Sequence, residues 1–234
     1  SKQDVVGAIV FGSDQGLVGH FNVVMEVFVT DTLNKLPGQK KVWVVGERLY
    51  SRLADAGLPV VGPYPLPSSV STISQLVGRI QIECEAQRPL AEYNYAHVHL
   101  FHNQPQMGGQ YQPVCRQLLP LDARWQQTLA KALWPTSCLP QAVGVGNELL
   151  RNLVREYLFI SIFKACAESL ASENASRLAA MQRAEKNIDE LSTHLHRTFS
   201  RLRQNAIDEE LFDVIAGFNA LAISNNRKRP AIPS

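Results

Sequence analysis

Few residues of this chain have the types and spacing that chemistry uses. Gly12-x-x-x-Gly16-x-x-Gly19 follows an apolar run and precedes a helical pattern, where a glycine-rich turn can present backbone N–H groups to a phosphate. The spacing is not G-x-G-x-x-G, and no acidic residue closes the next apolar run, so a tight structural turn is the stronger reading than a dinucleotide turn. His97 and His99 alternate on a strand-like segment and share a face, where they could share a metal. No third ligand follows at a recognisable spacing, and a solvated strand face explains them as well. His194 and His196 face different sides of a helical pattern. Gly144-Val145-Gly146 precedes a helix but follows no convincing strand. The chain contains no G-x-S-x-G, no H-E-x-x-H and no P-loop. These residues predict no catalytic centre, no metal and no cofactor.

The elements that hold them fall into two halves with different periodicities. Val5–Phe11 is a continuous apolar run that reads as a buried strand, with Gly12-Ser13-Asp14 as its turn. Phe21, Val24, Met25, Phe28, Val29 and Leu36 then follow helical spacing up to Pro37-Gly38. Lys41–Gly46 is a second strand, followed by a short amphipathic helix through Leu49, Leu53 and Ala56. Gly62–Pro67 is Pro-rich and reads as a loop before another helix carrying Ile73, Leu76, Val77, Ile80 and Cys84. Tyr93–His102 and Tyr111–Leu121 read as two paired strands. The order β-α-β-α-α-β-β predicts a Rossmann-like layered α/β domain over residues 1–146, with a mainly parallel sheet and an antiparallel edge.

From Asn147 to Ala216 the chain has neither Gly nor Pro. As a single helix at about 1.5 Å per residue this window extends roughly 105 Å, several times the width of a small domain. Apolar residues are dense from Leu149 to Leu170, as expected where a helix lies on a domain. Beyond Asn174 they thin to a seam of Leu178, Met181, Ile188, Leu191, Leu195 and Leu202, then Leu211, Val214, Ile215 and Phe218. Spacings of three and four are those of a coiled coil. A single stripe cannot bury itself, and the chain holds no second long helix to cover it. The long helix is expected over 147–223, with 224–234 as a flexible tail.

Composition bounds the rest. The chain has 234 residues, 45% hydrophobic and 19% charged, and 23 Lys+Arg against 21 Asp+Glu give a net charge of +2. That is a globular balance, too weakly basic for a dedicated nucleic-acid surface. No run is apolar enough to span a membrane, and Ser1–Asp4 leads straight into a strand without a secretory pattern. A soluble protein is expected, reaching a membrane only through a partner. Cys84, Cys115, Cys138 and Cys166 are far apart and read as reduced core thiols of an intracellular protein.

Two stretches resemble the gamma subunit of F-type ATP synthases, the central rotor shaft. Ser13-Asp14-Gln15-Gly16-Leu17-Val18-Gly19-His20-Phe21-Asn22 is similar to the family's S-D-R-G-L-C-G-G-F-N. Glu168-Ser169 and Ala171–Met181 lead on to Ala184 and Asn187 in the family's order. Arg203-Gln204, Ile207, Glu210-Leu211, Ile215-Ala216-Gly217 and Ala220-Leu221 follow at its spacing, and Leu118-Leu119-Pro120 matches a strand-end motif. The likeness covers roughly residues 5–222.

The resemblance implies an antiparallel coiled-coil shaft on an α/β foot, with no catalysis of its own. Its implied partners are the alpha and beta subunits of the catalytic hexamer, the epsilon subunit and the membrane c-ring, with no direct membrane insertion and no nucleic acid. Arg203, Gln204, Ile207 and Glu210 take the positions of hexamer contacts, and Ser13, Asp14, Gly16 and Gly19 those of the motif turn. The implied location is the cytoplasmic face of a bacterial inner membrane, peripheral through the complex. Gln15, Val18 and His20 replace the family's Arg, Cys and Gly. Ser200, Asp208 and Phe218 stand where it favours Asn, Thr and Ala. The family's long helix before the first strand is expected upstream of Ser1, lost by truncation or processing, so this chain alone is expected to dimerise through its seam, fold the long helix back or leave it partly frayed. A small dinucleotide-binding α/β enzyme and a coiled-coil adaptor unrelated to rotary ATPases are the competing readings.

Overall fold

The computed structural model describes residues 5–86, 95–121, 127, 131, 136–138, 141 and 146–227. Strand β1 (Val5–Phe11) is buried along its whole length, as a continuous apolar run in a sheet covered on both faces must be. It is the centre of a five-stranded sheet of order β3-β2-β1-β4-β5. β2 (Gln39–Val45) runs parallel to β1, from Val5 opposite Gln39 to Phe11 opposite Val45. β4 (Tyr95–Pro105) runs parallel on the other side, with Val6 opposite His97 and Val10 opposite Phe101. β5 (Tyr111–Leu119) returns antiparallel to β4 through a 3-10 turn at Met107–Gly109.

One strand lies where the sequence reads a loop. Val60–Tyr64 forms β3, parallel to β2, with Val42 opposite Val60 and Val45 opposite Tyr64. Pro63 has no N–H to give a ladder, which argues against a central strand. β3 is an edge strand, where that lack is tolerated, and the pairing is irregular between Trp43 and Val45.

Helices cover both faces. α1 (Phe21–Asn34) buries Phe21, Met25, Val29 and Leu33, and α2 (Glu47–Asp55) buries Leu49 and Leu53. With Val6, Ala8, Val10, Val42, Val44 and Phe101 they form one core. The other core joins Ile9, Phe11, Trp43 and Leu100 to α3 (Val70–Ala86) and to Ile162, Ala165 and Cys166 of α4 (Gly146–Arg227). Alternate residues of β1 thus feed opposite cores, as strand geometry dictates.

The chain divides into two compact units, Ser1–Met181 and Gln182–Ser234. In the first, the dense apolar stretch of α4 is only partly used. Leu150, Leu153 and Ile160 are exposed, whereas Leu158, Phe159, Phe163 and Leu170 pack against the core. The helix buries one face, so apolar density overstates contact. In the second unit, residues 182–219 are exposed except half-buried Thr198. α4 reaches Arg227, four residues past the expected end at Ile223, because no Gly or Pro follows Gly217 until Pro230. Residues 228–234 of the expected tail lie outside the described residues. Of the thiols, Cys166 is buried and Cys84 and Cys115 half-buried, but Cys138 is exposed and no core thiol. Burial pushes Cys166 up to about 12 and Cys115 to about 11. No helix among the described residues is long and apolar enough to cross a membrane.

The turn into α2 sets the first prediction. Gly46 sits at φ +107°, and a Cβ there would meet the Ser13 backbone nitrogen at 2.8 Å. Gly57 has a similar φ of +80° but open space around it. Gly57→Ala should therefore cost about 1 kcal/mol of unfolding free energy, the strain of a left-handed L-residue, and Gly46→Ala at least about 2 kcal/mol more. Urea unfolding of the two variants checks the ordering.

Candidate functional site

The motif turn between β1 and α1 is cross-linked from within. Gly12 donates its N–H to the Val45 carbonyl at 2.8 Å. The buried Ser13 donates its N–H to Asn22 Oδ1 at 3.1 Å, and Asn22 Nδ2 returns a bond to Ser13 Oγ at 2.7 Å. The Asp14 carboxylate accepts two backbone bonds, from Glu47 N–H at the start of α2 and from Leu66 N–H, both at 2.9 Å. The Ser13 carbonyl accepts the Arg48 N–H at 3.1 Å. The N–H groups of Gly12 and Ser13 at the end of β1, and of Glu47 and Arg48 at the start of α2, are thus taken by carbonyls and side chains of the protein itself. Asp14, Gly16, Asn22, Arg48 and Arg52 border an open cleft of about 740 Å³, and Arg52 is paired to Glu26. These bonds give the turn a structural role.

The same turn grips α4. Val18 is buried, and its carbonyl accepts Ser176 Oγ at 2.7 Å. Farther back, Ser172 Oγ donates to the Asn103 carbonyl at 3.0 Å while also reaching its own helix at Glu168 O. Asn103 Nδ2 reaches the Phe21 carbonyl at 3.5 Å. His102 Nε2 lies 2.7 Å from Glu168 Oε2. The buried Glu173 pairs with Arg177 at 2.6 Å, yet burial raises its carboxyl above the usual range, against the lowering by Arg177 and with a smaller push from Asp14. From Glu168 to Ser176, α4 therefore docks through polar atoms. The signal was present in the sequence: Ala165, Ser169, Ser172 and Ser176 are small and recur at spacings of three and four, letting the backbone come close.

The remaining candidates separate. His97 and His99 do share a face, with rings stacked 6.2 Å apart. His99 is buried, with Nδ1 3.7 Å from Cys115 Sγ. Burial, and secondarily His97, holds its ring below the usual imidazole range. No group of three or more metal-ligating side chains is found among the described residues. His194 and His196 line different grooves of α4. Gly144 and Val145 lie outside the described residues, and Gly146 opens α4.

The shaft candidates are all on the surface of α4. Leu178, Met181, Ile188, Leu191, Leu195 and Leu202 are between 49% and 65% exposed. Ile188, Leu191, Leu195 and Phe199 line an apolar groove of about 480 Å³. Phe199 belongs to that stripe although the seam read from spacing omitted it, because it continues Leu195 at i+4 rather than the stricter heptad. Arg203, Gln204, Ile207 and Glu210 are exposed, within the eight residues that follow Leu202.

A family model described as ATP synthase matches residues 1–221. The ATP synthase gamma chain of Herminiimonas arsenicoxydans is 32% identical over 228 residues, covering 94% of this chain and 76% of that protein. The gamma chain of Pasteurella multocida (strain Pm70) is 28% identical over 224 residues, with coverages of 92% and 74%. Among solved structures, a chain of the Euglena gracilis mitochondrial ATP synthase (OSCP/F1/c-ring, rotational state 3) superposes with a TM-score of 0.71. That match spans all of this chain and 77% of the other at 16% identity, a likeness of fold. A buried β1 with its self-bonded turn, a long helix with an open apolar stripe, and a family match along nearly the whole sequence agree: the chain belongs to the ATP synthase gamma-chain family.

Proposed function

We propose that the chain is the central-stalk rotor subunit of an F-type ATP synthase and carries torque between the membrane ring and the alpha/beta hexamer without catalysing a reaction itself. The observation that carries this is the apolar stripe of α4, from Leu178 to Phe218, standing in water on a helix with no Gly or Pro from Asn147 to Ala216. A stiff element with an uncovered seam suits a part that works by being turned inside a larger assembly. The neighbouring Euglena structure is of an assembly that includes F1 and a c-ring. On this reading the partners of the chain are alpha, beta and epsilon subunits and a c-ring. The complex lies on the cytoplasmic face of a bacterial inner membrane.

Roles for parts of the chain follow from that reading. Residues 1–146 act as the foot, and the long helix that follows, through Arg227, acts as the shaft. The Arg203 guanidinium and Gln204 amide offer donors on an exposed helix surface, suited to acidic loops lining a surrounding hexamer. Ile207 and Glu210 flank them. Ser13 and Asp14 hold the foot's turn, which includes Gly16 and, at φ 59°, Gly19, and whose Val18 carbonyl takes Ser176. No residue of the turn or of the α4 stripe forms a nucleophile–base pair, and torque transfer needs none.

The test is assembly and turnover. Co-expressed with alpha and beta subunits, the chain should co-purify with them, and ATP hydrolysis should require the hexamer and be absent from the chain alone. Arg203→Ala should weaken that association roughly tenfold, the loss of a charge-assisted bond. ATP turnover by the purified chain, removed by a substitution within it, would defeat the rotor reading.

A second measurement addresses the seam. The 234-residue chain should sediment as a concentration-dependent oligomer. Replacing both Leu191 and Leu195 by Asp should return it to monomer, each leucine contributing about 2 kcal/mol of burial. The thermal unfolding of the Ser1–Met181 unit should not change, since neither leucine belongs to it. Monomer at every concentration for the unaltered chain would show that the stripe does not self-pair.

A further inference from the structure

His102 is the least exposed ionisable ring in the described chain, at 1%. It lies on β4 beneath α4, with Nε2 2.7 Å from Glu168 Oε2 and with Nδ1 buried and without a partner. A carboxylate can only accept, so the bond requires the tautomer that carries its proton on Nε2. The neighbouring residue extends the same contact, the Asn103 carbonyl accepting Ser172 Oγ. We propose that His102 is a titratable positioning residue: its neutral ring seats α4 on the end of β4 through Glu168, and protonation of Nδ1 unseats the helix between Ile162 and Ser176.

The physical argument is the fate of the second proton. An N–H formed on Nδ1 points into a buried space that offers no acceptor, so a charge and an unmet donor are buried together. Glu168 offsets part of this. Lys164, whose Nζ lies 3.8 Å from Glu168 Oε1, draws on the same carboxylate and repels the imidazolium, as does Arg116 from β5. β1, paired on the other side, carries no titratable residue. On α3, Arg79 is bonded to Glu83, and Glu83 to Tyr64. Burial outweighs the help from Glu168, and the ring is held below its ordinary value of 6.5.

The sign follows from the direction of that displacement. A histidine depressed in the folded state contributes its stability in full above 6.5, and the contribution erodes as the pH falls below 6.5 toward the folded value. Glu173, raised in the fold, has the opposite sign: its carboxylate form is disfavoured there, so its penalty grows as the pH rises from the ordinary carboxyl range. The inference concerns the seating of α4 within the Ser1–Met181 unit and holds whether or not the chain turns in a complex.

The experiment compares the full chain with His102→Gln between pH 8 and pH 5. Glutamine can donate one N–H to Glu168 but cannot titrate, and His99 and Glu173 are common to both proteins and cancel. Thermal unfolding and amide hydrogen exchange, corrected for intrinsic rates, are the readouts. Near pH 8 the two should match. On acidification the wild type should lose unfolding temperature and protection over residues 162–176 beyond any loss in the variant, while protection of α1 stays equal in both. Parallel profiles would overturn the proposal. Should the variant fail to fold, 15N imidazole spectra of the wild type decide. An Nε2–H tautomer that titrates below 6.5 together with release of residues 162–176 supports the proposal. Titration at or above 6.5, or titration without that release, overturns it.

Discussion

Apolar side chains at helical spacing that stay half in water set the terms for the rest of this chain. Ile188, Leu191, Leu195, Phe199 and Leu202 follow one another along α4 with more than half of each exposed. Burying a leucine is worth about 2 kcal/mol, so the stripe leaves several such contributions unrealised. Local pairing does not compensate. Lys186 and Glu190 approach to 3.8 Å with both side chains largely in solvent, and an exposed i,i+4 pair contributes about 0.3–0.5 kcal/mol. Most helical stability in proteins comes from packing an amphipathic face. A helix with this stripe is complete only when something lies along it, and that requirement is what makes the assembly reading physical as well as familial.

Where α4 does meet its own domain, it changes the kind of contact it makes. Ile162, Ala165 and Cys166 enter an apolar core with Trp43 and Leu100. Ser172, Ser176 and Glu168 then reach a carbonyl on β4, a carbonyl in the motif turn and an imidazole on β4. Apolar contact is non-directional and tolerates small rotations of a helix. Hydrogen bonds do not, since each weakens steeply as its angle closes. The apolar stretch supplies adhesion, and the polar stretch fixes one angle and one height. If torque passes through this helix, slippage about its own axis is the failure to be resisted, and the polar stretch resists it.

How much of this the sequence discloses depends on whether a residue's role is local. β1 was readable because seven consecutive apolar residues leave few alternatives, and the parallel sheet with an antiparallel edge followed from element order. β3 was hidden by Pro63, whose meaning reverses between the centre and the edge of a sheet, and edge position is a property of the whole sheet. Leu150, Leu153 and Ile160 looked buried because density was visible and facing was not. That a turn follows β1 was readable from Gly12, Gly16 and Gly19 alone. The partners of Asp14, at Glu47 and Leu66, were not, since nothing local relates positions so far apart. Arg203, Gln204, Ile207 and Glu210 came from resemblance, because exposed residues such as these leave no mark in periodicity.

The motif turn differs from a nucleotide loop in where its N–H groups go. Both begin after a central parallel strand and open a helix, the place where such folds bind ligands. A ligand loop keeps its N–H groups turned outward. Here an asparagine takes the N–H of Ser13, and an aspartate takes those of Glu47 and Leu66. Asp14 alone joins the starts of two segments, 33 and 52 residues ahead of it, through bonds to a charged acceptor that are each stronger than a neutral pair. Asp14, Gly16 and Asn22 still border an open cleft, while the Val18 carbonyl of the same turn is given to Ser176 of the long helix. In this family member the ligand-binding end of an α/β sheet has become the mount for a helix.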